Sequence, residues 1–125
     1  MWKIILSVGA GGFAGSITRF LVSRYIQQHM MSSFPHGTFW VNITGCFLIG
    51  FFFGWFQEKE LFSPELRMFL TVGFCGGFTT FSSFALENIG LLRAGETGYF
   101  FLYTILSVVT GLLATYAGYI VIKSI

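Results

Sequence analysis

The chain has 125 residues, of which 54% are hydrophobic and only 10% charged, against roughly 25% charged in an ordinary soluble domain. With a mean hydropathy of +0.76, this composition excludes a water-soluble globular domain and predicts an all-α integral membrane protein. The net charge of +2 is small and scattered, so no nucleic-acid partner is expected.

A bilayer core of roughly 30 Å needs about 20 apolar residues per helical span. Four such stretches fit, at about residues 4–26, 38–56, 68–85 and 99–122, in a single membrane domain over 1–125. The opening "MWKIILSVGAGG" has the lysine and short apolar run of a signal peptide, but the apolar pattern continues to Ile26 and predicts an uncleaved span. Arg19 and Arg24 lie toward its far end. Arg19 is deep enough either to act inside the protein or to snorkel its head to the interface.

The second span carries no charge between Thr38 and Phe56. Trp40 and Trp55 stand near its ends, about 22 Å apart at 1.5 Å per residue, as interfacial anchors. Asn42 brings an amide with two donors into the span, serving either as interhelical glue or as a ligand contact. Thr38 sits one turn earlier on the same face. Cys46 in this span and Cys75 in the next are read as packing residues.

In the third span the stretch "GFCGGFTTFSSF", Gly73 to Phe84, interrupts the apolar pattern. Glycine costs a helix interior roughly 1 kcal/mol relative to alanine, and Ser and Thr offer the backbone competing hydrogen bonds. The helix is therefore predicted to break around Gly76 to Thr80. Lipid cannot satisfy the freed peptide groups, which must face protein, water or an ion. Carbonyls aimed inward would make a cation site. Phe81 and Phe84 share a face if the helix resumes; they are either core residues or a pair of positive ring edges suited to a small anion. Glu87, one turn beyond, closes the span as an interfacial carboxylate. On the fourth span Tyr103, Ser107, Thr110 and Ala114 follow helical spacing. That stripe is either a polar track or a packing face whose hydroxyls bond their own backbone.

Aspartate is absent, His29 and His36 fall in one connector, and no Ser/His/acid or metal-ligand spacing occurs, which argues against an enzyme. The side bearing both termini and the second connector holds Lys3, Lys59, Arg67 and Lys123, and the other holds Arg19, Arg24 and Arg93. Four against three is a weak topological bias. It suggests either that copies insert in both directions and pair antiparallel, or that one orientation is fixed by other features. Small residues four apart (Gly11 and Gly15, Gly50 and Gly54, Gly73 and Gly77, Ser107 and Gly111, Ala114 and Gly118) offer surfaces for close helix approach, and an oligomer is expected.

Taken together, "GAGGFAGSITRF" in the first span, "NITGCFLIG" in the second and "GGFTTFSSF" in the third closely resemble the small fluoride channels of the Fluc/CrcB family, over nearly the whole chain. The resemblance implies four transmembrane helices with the third broken near its middle, assembled as an antiparallel dual-topology homodimer with two pores. It implies passive, fluoride-selective export across a bacterial-type inner (plasma) membrane, with fluoride, membrane lipid and a second copy as partners. It also implies a structural sodium ion at the dimer centre, held by the backbone carbonyls of Gly76 and Thr79. By motif position, Asn42, Phe81, Phe84, Tyr103 and Ser107 line the fluoride pore. Thr38, Ser82, Ser83 and Glu87 form the vestibule, and Arg19 is structural or electrostatic. The chain departs from the pattern at "VVTGL", where Thr110 and Gly111 stand in place of a further serine.

Fluoride is small, strongly hydrated and a strong acceptor, so a pore must replace its water with donors such as Asn, Ser, Thr and Tyr while binding it weakly enough for release. A small four-helix proton-coupled multidrug antiporter matches in size and topology but needs a carboxylate deep in the first span, where this chain has none. A purely structural subunit would leave Asn42, the break and the hydroxyl stripe unexplained.

Overall fold

The structure, a computed structural model, describes residues 1–59 and 62–125. Positions 60 and 61 of the second connector lie outside the described residues. Among the described residues four helical stretches are long and apolar enough to cross a membrane: Trp2–Gln28, His36–Glu58, Pro64–Arg93 and Thr97–Lys123.

The first two are uninterrupted helices, α1 (Trp2–Gln28) and α2 (His36–Glu58). The third is composite. A short α3 (Pro64–Met68) leads into a π-helical segment (Phe69–Cys75) and a single turn, α4 (Gly76–Phe78). Thr79 and Thr80 are extended, and α5 (Phe81–Arg93) resumes the span. α6 (Thr97–Lys123) is the fourth.

The third span is longer at both ends than the Met68–Ala85 read from hydropathy. At its start the Ser63 hydroxyl accepts from Leu66 N–H at 3.2 Å, with Pro64 at the first helical position, a strong N-terminal signal in polar sequence. At its end Gly95 takes φ +78°, and the amides of Gly95 and Glu96 donate to the carbonyls of Leu92 (3.1 Å) and Leu91 (2.8 Å). This is the Schellman arrangement that a left-handed glycine permits. "NIGLL", read as part of a connector, is therefore helix, with Asn88 and Leu91 buried.

α1 packs along the π-helical segment and α4, and α2 packs along α6. Both contacts depend on missing side chains. A Cβ on Gly73 would stand 2.9 Å from Gly11 Cα, and one on Gly77 would stand 2.7 Å from the Gly12 carbonyl. A Cβ on Gly11 or Gly15 would overlap the carbonyl of Phe69 or Phe74, and one on Gly50 or Gly118 that of Thr115 or Phe47. These small-residue pairs, expected to serve contacts between chains, are occupied within one chain. The expected role of the glycines as helix breakers is also corrected: Gly76 is helical at φ −62°, ψ −37°, and the chain leaves the helix only at Thr79 (φ −89°, ψ 159°) and Thr80 (φ −152°, ψ 121°). Two β-branched residues favour that extended backbone.

The buried apolar cluster is small, built from Phe34, Phe39, Leu91 and the fully enclosed Tyr103, with Phe84 and Phe100 against it. Large side chains such as Phe13, Phe20 and Leu21 on α1 or Leu112 and Leu113 on α6 face outward, as lipid contact requires. The core therefore lies at the α2, α5 and α6 junction, beside the break.

Candidate functional site

The interruption of the third span exposes peptide groups in the middle of an apolar environment, and neighbouring elements take up most of them. Asn42, from α2, turns its amide edge-on to Thr80: Nδ2 donates to the Thr80 carbonyl at 3.0 Å, and the Thr80 N–H donates to Oδ1 at 2.8 Å. The carboxamide thus mimics a strand partner for one extended residue, leaving one N–H of its two-donor group unengaged among the described residues. The Thr80 hydroxyl accepts from Ser83 N–H at 3.1 Å and so caps α5. At the other end of the break, Arg19 Nε donates to the Gly77 carbonyl at 3.0 Å. Arg19 therefore reaches into the protein rather than only snorkelling outward, and brings a positive charge to the C-terminal end of α4, where the helix dipole favours one. The carbonyls of Gly76 and Thr79 have no hydrogen-bond donor among the described residues.

Beside the break runs a groove of about 300 Å³, lined in part by Asn42, Thr80, Phe81, Phe84 and Ser107. The Phe81 and Phe84 rings lie 5.6 Å apart between centres, tilted by 44°. Phe81 is 79% exposed, whereas Phe84 is half-buried and rests on Tyr103 at 5.0 Å. Ser107 lines the groove, and its hydroxyl is buried with no hydrogen-bond partner among the described residues. One turn further along α6 the Thr110 hydroxyl donates back to the Leu106 carbonyl, and Gly111 faces Cys46 Sγ. The available part of the hydroxyl stripe thus ends at Ser107.

Near the start of α2, Glu87 of α5 accepts from the Thr38 hydroxyl at 2.7 Å and from the Tyr103 hydroxyl at 2.8 Å. Thr38 and Glu87 also line an outer cavity of about 490 Å³, with Ser23, Arg24 and Glu96 on its walls. Tyr103 stands behind Phe84, fully buried, with its hydroxyl committed to the carboxylate.

Of the residues singled out in the sequence, the structure brings Asn42, Phe81, Phe84 and Ser107 to one groove together with Gly76 and Thr79. Thr38, Glu87 and Tyr103 form a second hydrogen-bonded group. Ser82 is exposed, with its hydroxyl 3.4 Å from that of Thr80, and Ser83 meets Thr80 through its backbone amide; neither serine donates to Glu87 among the described residues. Thr80 is a member of the site that sequence reasoning misses. Its signal is the doubled threonine itself, with an N-cap hydroxyl three residues before Ser83. The π-helical turn preceding it is missed as well.

Four apolar helices, one of them broken beside a groove that brings phenyl rings together with an amide and hydroxyls, define an integral membrane protein. The chain belongs to the CrcB family: the family described as "CrcB-like protein, Camphor Resistance (CrcB)" matches residues 6–119. It is 45% identical over 123 residues to a fluoride-specific ion channel FluC of Flavobacterium psychrophilum, covering 98% of this chain and 99% of that one. It is 43% identical to the protein of that name from Aquifex aeolicus, over 98% of each chain. With that from Chlorobium phaeobacteroides it shares 50% identity over 94% of this chain and 91% of the other.

Proposed function

We propose that the protein is a fluoride-selective ion channel that lets fluoride leave the cell passively. The observation that carries this reading is the groove, where the Phe81 and Phe84 rings, the Asn42 amide and the unpartnered Ser107 hydroxyl converge. Phenyl edges are weakly positive, and hydroxyl and amide hydrogens replace water around a small, strongly hydrated acceptor. Chloride, larger and a poorer acceptor, gains less from donors this closely spaced. The names of the relatives support the same substrate. Passive conduction is favoured over proton-coupled export because α1 contains no carboxylate.

The working form is an antiparallel homodimer with two pores. The near balance of charge between the two sides, four cations to three, supports dual insertion. A groove whose Phe81 is 79% exposed supports a second chain completing each path. In the dimer, the carbonyls of Gly76 and Thr79 from both chains would hold a structural sodium ion. The fit rests on their lack of hydrogen-bond donors among the described residues and on both residues lining the groove. Such an ion would accept the lone pairs of the freed carbonyls in place of hydrogen-bond donors. Arg19 and Asn42 keep the break in register from the protein side, while Thr38 and Tyr103 orient Glu87 at the outer cavity.

Reconstitution of the purified chain tests the substrate and the passive mechanism together. Protein in liposomes loaded with potassium fluoride should release fluoride when a potassium ionophore is added, and should retain chloride under the same conditions. Release that requires a pH gradient instead of the ionophore would favour the antiporter.

A further inference from the structure

Three openings follow one another along α2. The outer cavity touches its first turn at Gly37 and Thr38, and the groove touches its middle at Asn42, Cys46 and Ile49. A third cavity, of about 640 Å³, lies at its end, where Phe53, Phe56 and Gln57 meet Arg67 and Thr71 of the third span. From Thr38 to Gln57 the helix rises about 28 Å, close to the thickness of the hydrocarbon core. Ile49, on the groove wall, and Phe53, on the wall of this last cavity, stand one turn apart on α2 and are 38% and 54% exposed. The alternation of spans places it on the membrane face opposite Glu87.

Its chemistry differs from that of the outer cavity. Arg67 is the one charged residue on its wall among the described residues. The Nε of Arg67 is buried, with no hydrogen-bond partner among the described residues, and the guanidinium lies 5.8 Å from the centre of the Phe56 ring, close enough for the ring face to hold it. The Gln57 carboxamide oxygen accepts from the Tyr119 hydroxyl at 3.4 Å, which leaves the NH₂ of that side chain as the group it can offer. The Thr71 hydroxyl donates to the Arg67 carbonyl at 2.7 Å. The outer cavity, by contrast, carries Glu87 and Glu96 beside Arg24.

We propose that the Arg67 cavity is the second mouth of the anion path, where the Arg67 guanidinium and the Gln57 amide gather fluoride on the face opposite Glu87. This rests on the fluoride conduction proposed above. A cation set in a cleft with apolar walls concentrates anions locally, and a guanidinium carries further N–H donors on its two terminal nitrogens with which to bond one. With Phe53 between it and the groove, Arg67 stands at the entrance rather than at the selective site, so it affects rate rather than discrimination against chloride.

The test is ionophore-driven fluoride efflux from liposomes containing the purified full chain, for the unmodified protein and for Arg67→Gln, Arg67→Lys and Gln57→Glu. Each is measured at low salt and with added sodium gluconate on both sides. At low salt, Arg67→Gln and Gln57→Glu should slow efflux roughly three- to tenfold by removing the attraction, while Arg67→Lys keeps most of the rate. The deficits should shrink at about 1 M salt, where the screening length is roughly 3 Å. A purely structural Arg67 would give a loss that salt does not change and lysine does not repair, and that result overturns the inference. So does unmodified efflux from both charge-altered variants. Should Arg67→Gln fail to fold, Gln57→Glu, which keeps the arginine, decides the matter by the same salt criterion. Absence of efflux from the unmodified chain overturns the channel reading and the second mouth with it, whereas efflux indifferent to these variants overturns the second mouth alone.

Discussion

Asn42 performs two tasks with one carboxamide, closing the Thr80 peptide on both sides and facing the groove. Replacing it with alanine leaves a donor and an acceptor without protein partners in a span, at a cost of roughly 1–3 kcal/mol each. Asn42→Ala should therefore lower both the thermal midpoint in detergent and the fluoride flux; an unchanged midpoint would show that water or lipid headgroups satisfy Thr80. The ring pair makes a different prediction. Phe81→Ile or Phe84→Ile fills space but offers no positive edge, and the lost edge interaction, about 0.5–1.5 kcal/mol, corresponds to a roughly two- to tenfold lower flux. Gel filtration should show the same oligomer. Phe84→Ile should also soften the site, because Phe84 alone of the two rests on Tyr103; both variants conducting at the unmodified rate would make the rings mere packing. The serines illustrate what spacing alone could not say: Ser82 and Ser83 sit close in sequence to Glu87, yet Glu87 is reached by Thr38 and Tyr103 from other helices.

The broken third span was legible because glycine, serine and threonine clustered in an apolar run all weaken a continuous helix. The mechanism of the break was not. An absent side chain serves equally for a turn and for close helix approach, and only the neighbour distinguishes them: an added Cβ on Gly77 would stand 2.7 Å from the Gly12 carbonyl, whereas one on Gly76 would meet the Thr71 carbonyl at 3.9 Å, an ordinary contact. The two should respond differently. Gly77→Ala forces α1 and α4 apart and should destabilise the protein by about 1–3 kcal/mol, as overpacking does; Gly76→Ala should keep the midpoint of the single-chain fold. Chemical or thermal unfolding of both variants reads the difference, and equal loss would contradict the packing described. The π-helical turn over Phe69–Cys75, packed along α1, leaves no mark in residue type. The end of α5 was hidden for a simpler reason. Polar residues after Glu87 suggested a connector, and the stop signal, Gly95, lies two residues beyond Arg93.

At the scale of the whole molecule, the composition alone established four spans in a membrane, and the motifs established the family. The small-residue pairs did not identify a surface for a second chain, because α1 with the third span and α2 with α6 already occupy them. The face left open is the groove side. If antiparallel pairing completes it, two extra lysines in the second connector should bias insertion and abolish flux, and a variant biased the other way should restore it on co-expression. Full flux from a population of one orientation would contradict that pairing. The central claim, that this chain alone conducts fluoride, is tested most directly by fluoride efflux from liposomes containing only the purified protein, started with a potassium ionophore and compared with chloride. The account predicts rapid, ionophore-dependent fluoride release with chloride retained. Fluoride retained after the ionophore is added, or chloride released at the same rate, would contradict it.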